Sequence, residues 1–461
     1  MKKLAAVFAA LVLAAVAWCI ASGGEWGAGR RDITLMVWHT YVEQMSDAFD
    51  DLVKEFNDTE GAKRGIVVKV AAEANSSILN EIVIAAVKRD PGAPSPPDIA
   101  VIYPKIAVEL AEMGALADLG DYFTEKELAA FVPQFLEEGR LGGENLYLLP
   151  IAKSTEVLYV NRTIFNRFAE AAGVGISSLS TFEGIADAAE KYYEWTDSMT
   201  PDVPGDGRAF YYPDIPFNFA SVGFEQLGGS FVKEGRLDLA SPIFERIWDF
   251  YFPRAVKGEF AIFDKYANYL AMTGDVVCAT STSAGAIFYP DTVIYADNTK
   301  EPVSFDILAY PVFEGGARVV AQRGGGMCVI GSGEKRERAA ALFLKWFTAP
   351  ERNLRFTAST GYMPVTEEAF DLVLNGKLEN IPNELIRAAL AAAAEMQKTY
   401  RFHVTPAFSG FDELQRKYVS NLLESAEKVS EARKKPQGAP DAARSPAARS
   451  KEALRRFRED F

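Results

Sequence analysis

Residues 33–104 constrain the fold more than any other part of this sequence. ITLMVW (33–38) reads as a buried strand, and Met45, Phe49, Leu52, Val53 and Phe56 then recur at helical spacing. GIVVKVAA supplies a second strand, SSILNEIVIAAVKR a second helix and PPDIAVIYP a third strand. Short apolar strands alternating with helices specify a βαβαβ unit, so a mostly parallel sheet covered by helices on both faces is expected. At 461 residues the chain is too long for one hydrophobic core. A second lobe is therefore expected. ENLYLLPIAKSTEVLYVNRTIF holds two more strand-like runs that carry the chain into it, 181–263 is helical and rich in aromatic residues, and VVCATSTSAGAIF and FDILAYPVF restore α/β character. Such an order implies more than one crossing between lobes.

The two ends differ from the body. MKKLAAVFAALVLAAVAWCIASGG has two lysines, an apolar run too short to span a membrane, and then small residues, the pattern of an export signal. AAVAWC resembles a lipobox with Trp18 at the usual small-residue site, which makes Cys19 the expected lipidation site. Ala15 and Ala17 offer ordinary cleavage before Trp18 as the alternative. Of the other cysteines, Cys278 and Cys328 are expected as buried free thiols rather than a pair. At the other end, ARKKPQGAPDAARSPAARSKEALRRFREDF is rich in Ala, Arg and Pro, which predicts a flexible tail with a terminal helix from Ser450.

Composition removes several function classes. A formal net charge of -14 works against nucleic acid as a partner. His39 and His403 are the only histidines and no cluster has metal-ligand spacing, so neither a metal nor a cofactor is expected. There is no G-x-S-x-G elbow, and RGGGMCVIGSG lacks the G-K-[ST] of a phosphate loop, which leaves a strand with close backbone neighbours as its reading. An enzyme is not expected. Surplus carboxylates keep a secreted carbohydrate-active enzyme as the rival from another class.

Binding has more support. Ligands of open α/β sheets lie beyond the carboxyl ends of the strands, where the sequence places VWHTY (Trp38, His39), VIYP (Tyr103), AKSTEV (Ser154, Thr155), PFNFASVGF (Phe219) and TSTSAG (Thr282, Ser283). In TAPERNLRFTASTGYMPV, Thr348 and Glu351 have capping-box spacing, Gly361 suits a left-handed helix end and Pro364 forbids continuation. Tyr362 is thereby held on a rigid exit turn. Aromatic faces beside hydroxyls and glycine amides suit a sugar, which shows C–H faces and many hydroxyls.

From 33 to about 432 the sequence resembles the extracellular solute-binding proteins of ABC importers, the family that includes maltose, oligosaccharide and glycerol-phosphate binders. The resemblance lies in ITLMVWHTYVEQMSDAFDDLVKEFN, AEMGALADLGDYF, KSTEVLYVNRTIFNR, MTGDVVCATSTSAG and ALFLKWFTAPERNLRFTASTGYMPVTEEAF, and in their order. It implies a two-lobed α/β periplasmic-binding-protein fold of type II, with the ligand cleft between lobes. The expected lobes are 32–150 with 308–352 and 151–307 with 353–432, after a signal peptide over 1–19 and a linker over 20–31, and before a tail over 433–461. On the glycerol-3-phosphate branch, Ser154, Thr282 or Ser283, Gly325 and Tyr362 match ligand-contacting positions. A glutamate of that site becomes Pro104, a tyrosine becomes Asn75 or Ser76, a tryptophan becomes Phe182, and a late arginine falls near Ala407. Without that arginine a phosphate dianion is poorly compensated unless Arg401 or Arg323 stands in for it, so a neutral carbohydrate or polyol is expected, and glycerol 3-phosphate or a glycerophosphodiester is the alternative. The implied partners are the permease's transmembrane subunits, for a monomer exported to the periplasm or cell surface.

Overall fold

The computed structural model describes residues 33–434 and 446–461, except 43, 142, 377–380, 382, 407 and 409; the Cys19 and Ala407 readings fall outside them. Strands β1 (Ile33–His39), β2 (Ile66–Ala72) and β3 (Ile99–Ile102) form as read and lie parallel, Ile33 opposite Ile66 and Val37 opposite Ile99. Helix Gln44–Phe56 buries Phe49, Leu52, Val53 and Phe56, four of the five side chains its spacing picked out, while Met45 is half-buried and lines the cleft. Each such burial contributes about 1.5–3 kcal/mol.

Further strands follow: β4 (Leu149–Pro150), β5 (Glu156–Asn161), β6 (Tyr211–Pro213), β7 (Cys278–Thr282), β8 (Phe305–Leu308), β9 (Val319–Ala321), β10 (Gly326–Val329) and β11 (Arg401–His403). The first sheet runs β2-β1-β3-β10-β4. The returning β10 is antiparallel to both neighbours, so the sheet is parallel only over its first three strands. A Cβ on Gly326 would lie 2.6 Å from the Leu149 carbonyl oxygen, so RGGGMCV is the close-packed strand expected of it. The second sheet runs β8-β5-β7-β6, with β6 parallel to β7 and the other pairs antiparallel. Cys278 and Cys328 are buried free thiols, one in each sheet.

Between the sheets, 152–155, 321–324 and 361–364 run side by side. Lys153 N donates to the Met363 carbonyl at 3.1 Å, and Ser154 and Arg323 exchange backbone bonds of 3.0 and 2.8 Å. Beneath them the Lys153 ammonium is paired with Glu138, which also accepts from Gln322 Nε2 at 2.9 Å.

Two expectations need correction. Helix Pro350–Thr360 packs Phe356 against Tyr41, Phe49 and Phe347, and Arg355 pairs with Glu55 at 2.7 Å, so the boundary placed at 352/353 runs through a helix belonging to the first lobe, and the one placed at 307/308 likewise cuts β8 of the second sheet. Its start is not the capping box: Ala349 is the N-cap, and Thr348 Oγ1 instead donates to the Leu344 carbonyl at 2.8 Å. Its end is as read, with Gly361 at φ 74°. The flexible tail is the second correction, for 446–461. Helix Pro446–Glu459 buries Ala453, Leu454 and Phe457, a stripe that docks on the second lobe. Phe457 lies 5.2 Å from Trp248 and 5.5 Å from Tyr418 between ring centres, and Trp248 Nε1 donates to Ser450 Oγ at 3.1 Å.

Candidate ligand cleft

The waist segments floor a cleft of about 680 Å³ between the lobes, within the roughly 300–1,000 Å³ of small-molecule sites. From the first lobe, Ser76 opens helix Ser76–Lys88, whose N-cap Asn75 accepts from Ile78 N at 3.0 Å. Tyr103 stands 42% exposed at the N-cap of helix Pro104–Glu112, with Lys105 at the second position of that helix. The floor is Ser154, Gln322, Arg323, Gly324 and Tyr362. A Cβ on Gly324, at φ 100°, would lie 2.9 Å from the Ala152 carbonyl oxygen, so this close crossing requires glycine. The second lobe adds Asp214, Asn218, Tyr266, Tyr269, Thr282, Phe288 and Tyr289.

Ser76, Tyr103, Ser154, Thr282 and Tyr362 thus converge as the sequence reading placed them. Other expected residues do not. Trp38 is buried against Leu79, Ile102 and Cys328. Phe219 lies in an aromatic core, 5.2 Å from Phe182 and 5.6 Å from Phe250 between ring centres. Thr155 and Ser283 are fully buried and structural: Thr155 Oγ1 donates to the Ala321 carbonyl of β9 at 2.9 Å, and Ser283 N donates to the Thr155 carbonyl at 2.8 Å, which joins the ends of β5 and β7. Gly325 lies just under the floor, where a Cβ would be 2.5 Å from the Ile102 carbonyl oxygen; its role is close strand approach.

His39 is likewise structural, packed between Tyr41 and Phe49. Its Nδ1 accepts from Tyr41 N at 3.1 Å, and burial lowers its pKa from 6.5 to about 4. The folded pKa is depressed, so below pH 6.5 the unfolded chain takes a proton that the folded one refuses, and stability is lost as pH falls toward 4. His39 is expected to remove about 2 kcal/mol between pH 7 and pH 5. Thermal melts of His39→Gln at the two pH values should show a smaller acid loss than the unaltered protein; an equal loss would contradict this.

Several lining residues escaped the sequence reading. Asp214 follows β6, a three-residue strand that its own Pro213 disguises as a loop. Tyr266 and Tyr269 stand at the start of helix Ala267–Thr273 at a three-residue spacing, while Ala267, Leu270 and Ala271 are its buried residues; that spacing was the available signal. Together with Phe288 they are 68%, 50% and 45% exposed, an unusual state for large rings. Tyr289 stacks on Tyr159 at 4.0 Å.

The polar groups are held in place. Asp214 accepts from Ser281 Oγ and Ala267 N, each at 2.8 Å; burial raises its pKa, while those bonds and Arg323 pull it down. Burial likewise raises Glu156, partly offset by Arg323, whose Nη1 is 3.6 Å away, and by Asn218 Nδ2, donating at 2.7 Å. Burial pushes Tyr362 up to about 12, with Tyr103 adding to it and Arg323 opposing, so its phenol stays neutral. Across the mouth, Lys105 pairs with Asp412 of helix Phe411–Lys434. Rings at the rim and fixed donors and acceptors at the floor suit a ligand with both apolar faces and hydroxyls.

Comparison with known proteins gives concordant likenesses. Residues 51–383 match the family model for bacterial extracellular solute-binding proteins. The sn-glycerol-3-phosphate-binding periplasmic protein UgpB of Rhizobium meliloti (strain 1021) is 21% identical over 353 residues, covering 73% of this chain and 76% of that protein. The cyclic alpha-maltosyl-1,6-maltose binding protein of Arthrobacter globiformis superposes with a TM-score of 0.64 at 18% identity, over 93% of this chain and 99% of its own. UgpB of Mycobacterium tuberculosis, in complex with glycerophosphocholine, gives 0.64 at 19% identity, over 94% and 98%. At these identities the superpositions establish the two-lobed fold.

Proposed function

Since the chain belongs to the bacterial extracellular solute-binding proteins and acts as the solute-binding component of an ABC importer, we propose that it captures a neutral sugar or oligosaccharide in the interlobe cleft. Tyr362 and Tyr103 offer ring faces to it, and Ser76, Ser154 and Thr282 offer hydroxyls. It then delivers the ligand unchanged to the permease, as a monomer held at the membrane by a lipid on Cys19. A diacylated Cys19 terminus in membrane-fraction mass spectra is the expected finding, and a soluble protein beginning at Trp18 would contradict the anchor.

One observation carries the choice of ligand. Among the described residues, both cations lining the cleft already face a carboxylate, Arg323 beside Glu156 and Lys105 beside Asp412. A phosphate dianion entering here would compete with those carboxylates and meet Asp214 as well, so its desolvation would go largely uncompensated. A neutral hydroxylated ligand meets no such penalty. The second reading, glycerol 3-phosphate or a glycerophosphodiester, is favoured by the likeness to the Rhizobium protein.

A thermal-shift screen separates the two. A ligand at 100 times its dissociation constant adds about 2.7 kcal/mol of stability. Neutral saccharides are expected to raise the melting temperature, with little dependence on salt. A shift given only by sn-glycerol 3-phosphate, and weakened by salt, would overturn the neutral-sugar reading. Slow release of monosaccharide from a bound oligosaccharide would point to the enzyme instead.

A further inference from the structure

The cleft floor holds polar atoms that the protein itself leaves without partners. Gln322 is 5% exposed; its Nε2 is committed to Glu138, which fixes the amide so that Oε1 has no hydrogen-bond partner. Arg323 Nη1 is buried and makes no hydrogen bond, its distance to Glu156 being that of an ion pair only. Asp214 spends one acceptor site of each oxygen on Ser281 and Ala267, and a carboxylate has about four such sites. All three line the cleft, and Asp214 lies within the electrostatic influence of Arg323. A buried group left unpaired costs about 1–3 kcal/mol, so in a native protein the arrangement calls for an occupant.

We infer that Asp214, Gln322 and Arg323 form one hydroxyl-reading group of two acceptors and a donor, and that Asp214 sets the specificity of the cleft for hydroxylated over anionic ligands. A pair of neighbouring hydroxyls satisfies it: each donates to an acceptor, Asp214 or Gln322, and accepts from the Arg323 guanidinium. An anion has no proton to donate and confronts the carboxylate directly. The inference rests on the reading of the cleft as a sugar site, and it adds which residues choose the ligand.

The test is calorimetric titration of the unaltered protein and of Asp214→Asn with a panel of neutral di- and trisaccharides, with monodeoxy analogues of the tightest binder, and with sn-glycerol 3-phosphate. Asparagine can still accept from Ala267 and bond Ser281, so the fold is retained, and melting temperatures check this. Asp214→Asn is expected to weaken the saccharide about tenfold to a hundredfold. One deoxy analogue should then bind the unaltered protein and the variant equally, because the hydroxyl that Asp214 reads is gone from both complexes. A merely structural role would weaken every analogue by the same factor, and that result, or unchanged saccharide affinity, would overturn the inference while leaving the sugar reading intact. If the unaltered protein binds glycerol 3-phosphate and no saccharide, the sugar reading falls, and the inference that rests on it falls with it.

Discussion

Lys153→Met is expected to cost the protein about 3–5 kcal/mol of stability. Lys153 and Glu138 are 1% and 7% exposed in their side chains, and the pair ties the waist to the first lobe. Methionine fills the volume of the lysine stem but leaves the Glu138 carboxylate buried with only Gln322 Nε2 and no cation. The loss therefore comes from an uncompensated charge rather than from a cavity. The companion variant Lys153→Met/Glu138→Leu isolates that cause, since replacing both members of a buried pair is often close to neutral. Denaturant unfolding should rank the proteins as unaltered, then double variant, then single variant. A single variant as stable as the unaltered protein, or a double variant less stable than the single, would contradict the account of the waist.

Phe457→Ala should release the C-terminal helix. Phe457 is fully buried against Phe244, Trp248 and Tyr418, and truncating a buried phenylalanine typically costs about 3–5 kcal/mol. At about 1.4 kcal/mol per factor of ten, the undocked fraction rises more than a hundredfold. Trypsin cleavage at Arg455 and Arg456 should accelerate accordingly, because proteolysis follows the population of the open form when reclosing is fast. Unchanged cleavage in the variant would mean that the helix is not docked.

How far the sequence disclosed these features depends on what kind of signal each one left. β1 to β3 and helix Gln44–Phe56 announced themselves because burial imposes a period, and period is visible in one dimension. Strand ends were visible too, and Tyr103 and Thr282, read at such ends, line the cleft. Trp38 and His39 stand at a strand end as well, but alternation says which residues share a face and not which face a helix will cover; here both rings fall inside. Tyr362 was legible through Gly361 and Pro364, which fix its backbone locally. Asp214 and Gln322 were not, because their meaning comes from partners far along the chain, Ser281 for Asp214 and Glu138 for Gln322; Arg323 was legible only as a candidate counter-charge to a phosphate, and its pairing with Glu156 was not. The C-terminal helix was hidden by its Ala, Arg and Pro content, although Leu454 and Phe457 already stood on one helical face.

That the cleft is the ligand site is tested most directly at Tyr362, by calorimetric titration of Tyr362→Ala with the saccharide that binds the unaltered protein, alongside its thermal unfolding. Tyr362 lines the cleft floor and also packs, half-buried, on the core. Losing it should remove a stacking contribution of about 0.5–1.5 kcal/mol together with the apolar area buried by ligand, weakening binding about tenfold or more. The melting temperature should fall only modestly. Affinity retained within a factor of about two, with stability lowered by the 3–5 kcal/mol typical of a truncated core aromatic, would contradict the assignment of this cleft as the binding site.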